Sequence, residues 1–215
     1  MKKSKICVLT SGGVESSALV YLLSKKYDRV FPLYASHGFI WEKAEIYWLK
    51  KFLKRLSSPS VQPLTLSRYP LKEVYPNHWS FSGKKVPSAS SPDEAVFLPG
   101  RNILLLSPAG IFCYTHQIPK IAIGTLASNP FPDSSRDFFS EMEKVLNRGL
   151  SFQIKIVRPF AKRGKKEVIR LARKAPLELS FSCLKPKEKS HCGNCNKCAE
   201  RKKGFARALR KSSHL

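Results

Sequence analysis

Four cysteines near the C-terminus, Cys183, Cys192, Cys195 and Cys198, are spaced C-x8-C-x2-C-x2-C. Thiolates clustered this closely suit a closed tetrahedral metal site that has no open coordination position, and zinc is the first candidate. An iron–sulfur cluster is the alternative, because C-x2-C-x2-C is also a ferredoxin-like spacing. The pattern therefore predicts a structural metal centre with these four residues as its ligands.

A second chemical motif lies at the other end of the chain, where an apolar run at residues 5–10 leads into the sequence SGGVES at residues 11–16. Where a strand turns into a helix, the helix N-terminus binds anions, glycines let the backbone approach a phosphate, and small hydroxyl groups add donors. The loop lacks the Gly-Lys-Ser/Thr of a Walker sequence and the spacing of a dinucleotide fingerprint. It predicts a phosphate site of another kind, with a plain tight turn as the alternative.

Segments typical of strands and helices alternate about five times between these motifs. Apolar runs predict strands at residues 5–10, 30–35, 61–66, 120–126 and 154–160, and helical periodicity predicts helices at residues 16–26, 41–56, 101–114, 135–148 and 165–174. Pro108 predicts a bend or interruption, and Gly149 a helix end. The alternation predicts an α/β fold, a doubly wound parallel sheet of about five strands with helices on both faces.

The domain organisation follows from composition. Residues 1–176 are expected to form the α/β domain, and residues 177–215 a small zinc-binding segment packed on it. Residues 68–95 contain four prolines and many serines without clear periodicity, which is typical of a functional loop or lid. Cys7 and Cys113 lie in a predicted strand and a predicted buried helix, so they are expected in the core.

Net charge is +24, from 39 basic against 15 acidic side chains. Such a field favours polyanions, although a generally basic host proteome is an alternative explanation. No apolar run is long enough to span a bilayer and no secretion signal is visible, so we expect a cytoplasmic protein without a membrane partner. In a reducing compartment, clustered cysteines bind metal more often than they form disulfides. The sequence leaves open whether the chain forms a homodimer.

Taken together, the loop at residues 11–16 and the cysteine cluster resemble the N-type ATP pyrophosphatases, or PP-loop superfamily, which have an adenine nucleotide alpha hydrolase-like fold. Within that superfamily the chain resembles the 7-cyano-7-deazaguanine synthase family of the queuosine precursor pathway. Further segments match in order: LPGRN at 98–102, NPFPD at 129–133, KKEVI at 165–169 and SC at 182–183. The resemblance covers nearly the whole chain.

The resemblance implies an ATP-dependent carbon–nitrogen ligase that uses Mg²⁺ and structural Zn²⁺. A 7-deazaguanine carboxylate is adenylated, ammonia converts it to the amide, and a second adenylation gives the nitrile. The implied ATP-binding residues are Thr10, Ser11, Gly12, Gly13, Val14, Glu15, Ser16, Ser17, Arg101 and Asn102. The implied catalytic residues are Glu15, Arg101 and Lys165, and the implied substrate-binding residues are Asn102 and Asp133.

Three of these residues also have simpler interpretations. Asn102 could cap the following helix, Lys165 could be a solvated lysine in a basic run, and Asp133 could belong to a turn. Residue 15 also departs from the family pattern, since a glutamate replaces the usual aspartate. The extra methylene moves the carboxylate by about 1.5 Å. This change places the acceptor substrate in more doubt than the ATP chemistry.

Three other functions therefore remain as alternatives. The first two keep the adenylation and change the acceptor, to thiolation of a tRNA base or to attachment of a deazaguanine. The third is a non-catalytic zinc module that binds nucleic acid, which the basic segment at residues 161–215 would suit.

Overall fold

A computed structural model of the protein describes residues 3–209. Its sheet contains β1 (Lys5–Leu9), β2 (Arg29–Ser36), β3 (Thr65–Arg68), β4 (Lys120–Ala122) and β5 (Lys155–Val157). The strands are ordered β3-β2-β1-β4-β5, and every neighbouring pair is parallel. This arrangement confirms the predicted doubly wound sheet of five strands.

Between residues 3 and 209 the structure has seven α-helices: α1 (Val14–Ser24), α2 (Glu42–Leu56), α3 (Trp79–Ser82), α4 (Arg101–Thr115), α5 (Arg136–Leu150), α6 (Lys165–Leu171) and α7 (Asn196–Leu209). Alternate residues of β1 face opposite sides, as the period of a strand requires. Ile6 and Val8 pack in a core cluster with α1 and α6, whereas Cys7 and Leu9 pack in a second cluster with α4 and α5. Helices therefore cover both faces. Within the described range, no helix is long and apolar enough to cross a bilayer.

Several boundaries differ from those predicted. The third strand begins at Thr65 because Val61 makes only an isolated bridge to Val30. Helix α4 runs through Pro108 without interruption. Helix α5 continues past Gly149 to Leu150, since the left-handed residue at its end is Ser151, with φ of 47°.

The C-terminal segment packs directly on the α/β layers. Helix α7, which the cysteine and lysine composition did not predict, packs against α6. At Gly204, an added Cβ would lie 2.7 Å from Cδ of Lys165, so this glycine allows the two helices to approach closely. Phe205 packs against the core cluster formed by α1 and α6.

The packing of α4 on α5 generates a stability prediction. A Cβ added at Gly110 would lie 2.7 Å from Cδ2 of Leu146, which is buried, whereas a Cβ added at Gly149 would meet nothing within 4 Å. We expect Gly110→Val to lower the free energy of unfolding by about 1–3 kcal/mol through overpacking. The control Gly149→Val should change it by less than about 0.5 kcal/mol. Urea denaturation measures both, and equal effects would contradict this packing.

Candidate active site

A cavity of about 360 Å³ lies at the carboxyl ends of β1, β2 and β4. The strand order reverses between β1 and β4, and open α/β sheets bind ligands at such a switch point. The walls come from the loops after β1 and β4, the start of α4 and the residues just before and at the first cysteine. The segment at 68–95, predicted to be a lid, contributes Trp79 and Asp93 to the wall.

The cavity brings together most of the site residues implied by the sequence. Its lining includes Thr10, Ser11, Gly13, Glu15, Ser16, Arg101, Asn102, Asp133, Lys165 and Cys183. Gly12, Val14 and Ser17 are not part of the lining, and the side chains of Val14 and Ser17 are fully buried in the protein. Any contact from these two residues to a ligand would therefore have to come from their backbone.

The loop after β1 requires glycine at residue 12. Gly12 has φ of +78°, and a Cβ there would lie 3.2 Å from the carbonyl oxygen of Glu45 and 3.3 Å from Cβ of Leu49. Its own carbonyl accepts a hydrogen bond of 2.7 Å from the backbone N–H of Phe181. The loop is thus held between α2 on one side and the segment before the cysteines on the other.

Hydroxyl groups and a helix N-terminus give this loop the character of an anion cradle. The N–H of Ser11 donates to Oγ of Ser16 over 3.2 Å, and the N–H of Gly13 donates to Oγ of Ser11 over 3.3 Å. Helix α1 begins at Val14 with no side-chain cap. Its first backbone N–H groups and its positive dipole end are therefore available to an anion. These residues fit the phosphates of a nucleotide.

A chain of ion pairs connects this loop to α7. Nζ of Lys165 lies 2.8 Å from Oε1 of Glu15 and 2.6 Å from Oε1 of Glu200, and the second oxygen of Glu200 lies 2.8 Å from Nζ of Lys197. The Lys165 side chain is only 14% exposed. Burial lowers the pKa of Lys165, but the two carboxylates outweigh it and the pKa is raised. Lys165 is thus a buried cation at the phosphate end and not a solvated lysine.

The sequence interpretation missed Glu200 and Lys197, although both line the cavity. Burial alone would raise the pKa of Glu200, yet the charges of Lys165 and Lys197 lower it to about 2. The only signal in the sequence for these two residues was their own spacing, because Lys197 and Glu200 lie three positions apart in the last helix. Glu15 faces Lys165, the same lysine that Glu200 contacts.

Asp133 caps helix α4. Its Oδ2 accepts a hydrogen bond of 2.8 Å from the backbone N–H of Asn102, and its carbonyl accepts one of 2.7 Å from Nδ2 of Asn102. Helix capping, one of the simpler interpretations, is therefore present in the structure. The capping side chain is Asp133 and not Asn102. Both residues still line the cavity. Beside them, the guanidinium of Arg101 lies 5.1 Å from the ring centre of Phe39.

The cavity wall also contains aromatic rings and a buried carboxyl group. The hydroxyl of Tyr34 donates to Oε2 of Glu45 over 2.7 Å. The rings of Trp41 and Trp79 stack at 5.5 Å, and both line the cavity. Burial raises the pKa of Glu45 to about 8, even though the Tyr34 hydrogen bond and the Arg101 charge act in the opposite direction.

The four cysteines converge as their spacing predicts. Their ligand atoms all lie within 4.8 Å of one another, and Sγ of Cys192 lies 3.9 Å from Sγ of Cys198. A tetrahedral ion with metal–sulfur bonds of about 2.3 Å needs sulfur–sulfur edges of about 3.8 Å. Backbone N–H groups of Leu184 and Cys192 point at the sulfurs of Cys195 and Cys183. The set fits one tetrahedral ion better than a four-iron cluster, in which each thiolate would bind a different iron.

The other cysteines and the neighbouring histidine have structural positions. Cys7 and Cys113 are both fully buried in the core, as expected. Nε2 of His191 accepts a hydrogen bond of 3.3 Å from the N–H of Ser182, and its ring packs on Phe181. His191 therefore supports the loop and is not needed as a ligand.

Fold and site together define an α/β protein with a loop suited to anions at the switch point and four cysteines arranged for one metal ion, the first of them in the cavity wall. The family model described as "Queuosine biosynthesis protein QueC" matches residues 5–209. The chain belongs to the QueC family.

Curated relatives cover nearly the whole chain. The 7-cyano-7-deazaguanine synthase 1 of Desulfitobacterium hafniense is 34% identical over 95% of this chain and 93% of its own length. The 7-cyano-7-deazaguanine synthase of Sulfurihydrogenibium sp. is 30% identical over 95% of this chain and 96% of its own. The enzyme of the same name from Pyrococcus furiosus is 28% identical over 96% and 94%.

Two solved structures are similar in fold. A predicted subunit of a tRNA methyltransferase from Methanocaldococcus jannaschii has a TM-score of 0.52 and 19% identity, over 79% of this chain and 74% of the other. A 4-thiouridine synthetase–RNA complex with bound ATP has a TM-score of 0.52 and 17% identity, over 95% of this chain and 50% of the other. At these identities the similarity establishes the fold alone.

The buried carboxyl group generates a pH prediction. The pKa of Glu45 rises from 4.5 to about 8 on folding, so between these values the folded chain holds a proton that the unfolded chain has released. Glu45 therefore makes the free energy of unfolding fall as pH rises, by about 1 kcal/mol per pH unit. Urea denaturation between about pH 5 and 8 should give a steeper decline for the wild type than for Glu45→Gln. Equal pH dependence of the free energy of unfolding in the two proteins would contradict the raised pKa of Glu45.

Proposed function

We propose that this chain converts 7-carboxy-7-deazaguanine and ammonia to 7-cyano-7-deazaguanine at the expense of two molecules of ATP. The observation that carries the proposal is the anion cradle at the switch point, in a chain that matches the QueC family over residues 5–209. Relatives with this name cover the chain almost from end to end. The cavity contains the anion-binding and the heterocycle-compatible surfaces that such a reaction needs.

The reaction comprises two adenylations that balance as follows. A carboxylate oxygen attacks the α-phosphorus of ATP, and pyrophosphate leaves with the bonding electrons. Ammonia adds to the acyl carbon and loses a proton, and AMP leaves to give the amide. The amide oxygen then attacks a second ATP and pyrophosphate leaves again. The nitrogen loses its two protons as the bond between carbon and the AMP oxygen breaks, which gives the nitrile.

The proposed roles follow the chemistry of each side chain. Backbone groups of the loop and the hydroxyl of Ser16 hold the β and γ phosphates, and Lys165 neutralises the charge that develops on pyrophosphate. Arg101 stabilises charge on the transferred phosphate. Asn102 and Asp133 fix the start of α4 against the substrate. The enclosed cavity keeps water from the reactive adenylate.

Mg²⁺ bound with the nucleotide phosphates would supply further charge neutralisation and orientation. Glu15 is the carboxylate within the phosphate loop and is the proposed protein ligand. Its pairing with Lys165 means that the same carboxylate serves both cations of the site.

The direct test is incubation of the purified protein with ATP, Mg²⁺, ammonia and 7-carboxy-7-deazaguanine, followed by mass spectrometry. We expect the nitrile, together with two equivalents each of AMP and pyrophosphate. Lys165→Met should lower kcat by at least about 100-fold, because a buried cation at the leaving group is lost. The matched control Lys166→Met changes an exposed neighbour and should stay within twofold of the wild type. AMP without nitrile would point to another acceptor, and absence of AMP would refute the proposal.

The four cysteines are proposed to hold one structural Zn²⁺ that fixes the C-terminal segment. Purified protein should contain about one zinc per chain by metal analysis. Cys195→Ser should lose the metal and lower the melting temperature, because structural zinc contributes directly to folding free energy. The control Cys113→Ala changes a core cysteine and should retain zinc. Iron and labile sulfide in place of zinc would refute this assignment.

A further inference from the structure

The cavity wall contains surfaces of two kinds, and the proposed phosphate-binding roles use the loop after β1, Lys165 and Arg101. Residues around the loop after β1 are rich in backbone donors and hydroxyl groups, with Lys165 and Lys197 beside them. Another part of the wall contains the rings of Trp41 and Trp79 and the carboxyl group of Glu45. The proposed reaction joins a nucleotide to a planar heterocycle, so this second surface is the candidate binding site for the heterocycle.

Glu45 has hydrogen-bonding capacity left over. Among the described residues only the hydroxyl of Tyr34 donates to it, and that bond uses Oε2. Glu42, one turn earlier on the same helix, is saturated: it accepts from Oγ of Ser36 and from the backbone N–H groups of His37 and Gly38. Buried carboxyl groups are normally fully hydrogen-bonded, so the contrast marks Glu45 as the one that faces a ligand.

Two further features of the cavity wall suit a flat, polar ring. The stacked pair Trp41 and Trp79 presents aromatic surface to the cavity. Nη1 of Arg101 is buried with no hydrogen-bond partner, and Arg101 also lines the cavity. An unpaired buried donor is costly unless a ligand supplies an acceptor.

We propose that Glu45 recognises the edge of a guanine-type heterocycle by accepting its ring N–H and exocyclic amino groups, with Trp79 against the ring face. Nη1 of Arg101 donates to the neighbouring ring oxygen, in addition to the role proposed for this guanidinium at the transferred phosphate. This inference rests on the proposed function, because it takes the heterocycle to be the 7-deazaguanine substrate. Nucleobases outside a duplex are commonly read in this way, by hydrogen bonds to the pairing edge and by aromatic stacking.

The chemistry of the two bases decides between the substrate and the adenine of ATP. A guanine-type ring presents two adjacent donors that match the two lone-pair directions of one carboxylate. Adenine presents a ring acceptor next to its amino group, and that acceptor would face the carboxylate oxygen. The ionised form of Glu45 therefore favours the deazaguanine, whereas its protonated form would match adenine, so release of the Glu45 proton on binding distinguishes the two bases.

The test uses isothermal titration calorimetry with 7-carboxy-7-deazaguanine and with its analogue that lacks the 2-amino group. The wild type should bind the 2-amino compound about tenfold more tightly or better, since a bidentate pair to a base discriminates by roughly that factor. Glu45→Gln should reduce this preference to less than about threefold, because the amide replaces one of the two acceptor oxygens with an NH2 donor that faces a donor of the ring. The affinities of the wild type and of Glu45→Gln for a non-hydrolysable ATP analogue should agree within about threefold.

A second readout separates recognition from packing. The two donors favour the ionised form of Glu45, so binding of the 2-amino compound near neutral pH should release a proton. This appears as a dependence of the binding enthalpy on buffer ionisation, and Glu45→Gln should lose it. The charged and titratable groups around Glu45 are Tyr34 on β2, Glu42 on α2 and Arg101 on α4.

Glu42→Gln is the matched control. It should lower the melting temperature, because it disturbs three hydrogen bonds, while the preference for the 2-amino compound remains. A wild type that binds both heterocycles equally, or a Glu45→Gln variant that keeps the preference, overturns this inference and leaves the proposed reaction intact. Binding of the ATP analogue without binding of either heterocycle overturns the inference and the proposed function together.

Discussion

The buried ammonium of Lys165, shared by Glu15 and Glu200, is the interaction on which the rest of the site depends. Removing an ammonium ion from water costs several kcal/mol unless carboxylates surround it. One of the two partners lies in the loop after the first strand and the other lies on the last helix. Burial of the Lys165 ammonium therefore requires both ends of the chain to be in place. It also explains why α7 packs on α6 with a glycine against the lysine stem.

This constraint places the phosphate loop between two supports. On one side Gly12 lies against α2, where a side chain larger than hydrogen would meet the Glu45 carbonyl and Leu49. On the other side the backbone of Phe181 donates to the Gly12 carbonyl. A loop fixed at both edges keeps its N–H groups in position before a ligand arrives. Such preorganisation is the main source of electrostatic stabilisation in reactions that transfer phosphorus.

The sequence predicted those features that depend on short-range spacing. The alternation of strands and helices, the loop at residues 11–16 and the four thiolates each follow from local patterns in the chain. The sequence did not predict Glu200 as a partner of Lys165, or Tyr34 as a partner of Glu45, because both contacts depend on how side chains of different elements meet in the folded chain. Asp133 capping α4 is another such contact. Helix α7 was not predicted because its lysines and cysteines obscure the periodicity of its apolar residues. Phe205 lies on the apolar side of this helix and packs against the core cluster of α1 and α6.

The segment that bears the first cysteine also forms part of the cavity wall, since Phe181, Ser182 and Cys183 line it. A metal held by the four thiolates and a ligand held in the cavity would therefore contact the same short stretch of backbone. A metal that fixes the cysteines would also fix this stretch of backbone, and with it one part of the wall against which a ligand would bind. A centre without an open coordination position would thus serve the chemistry beside it by holding the cavity in shape.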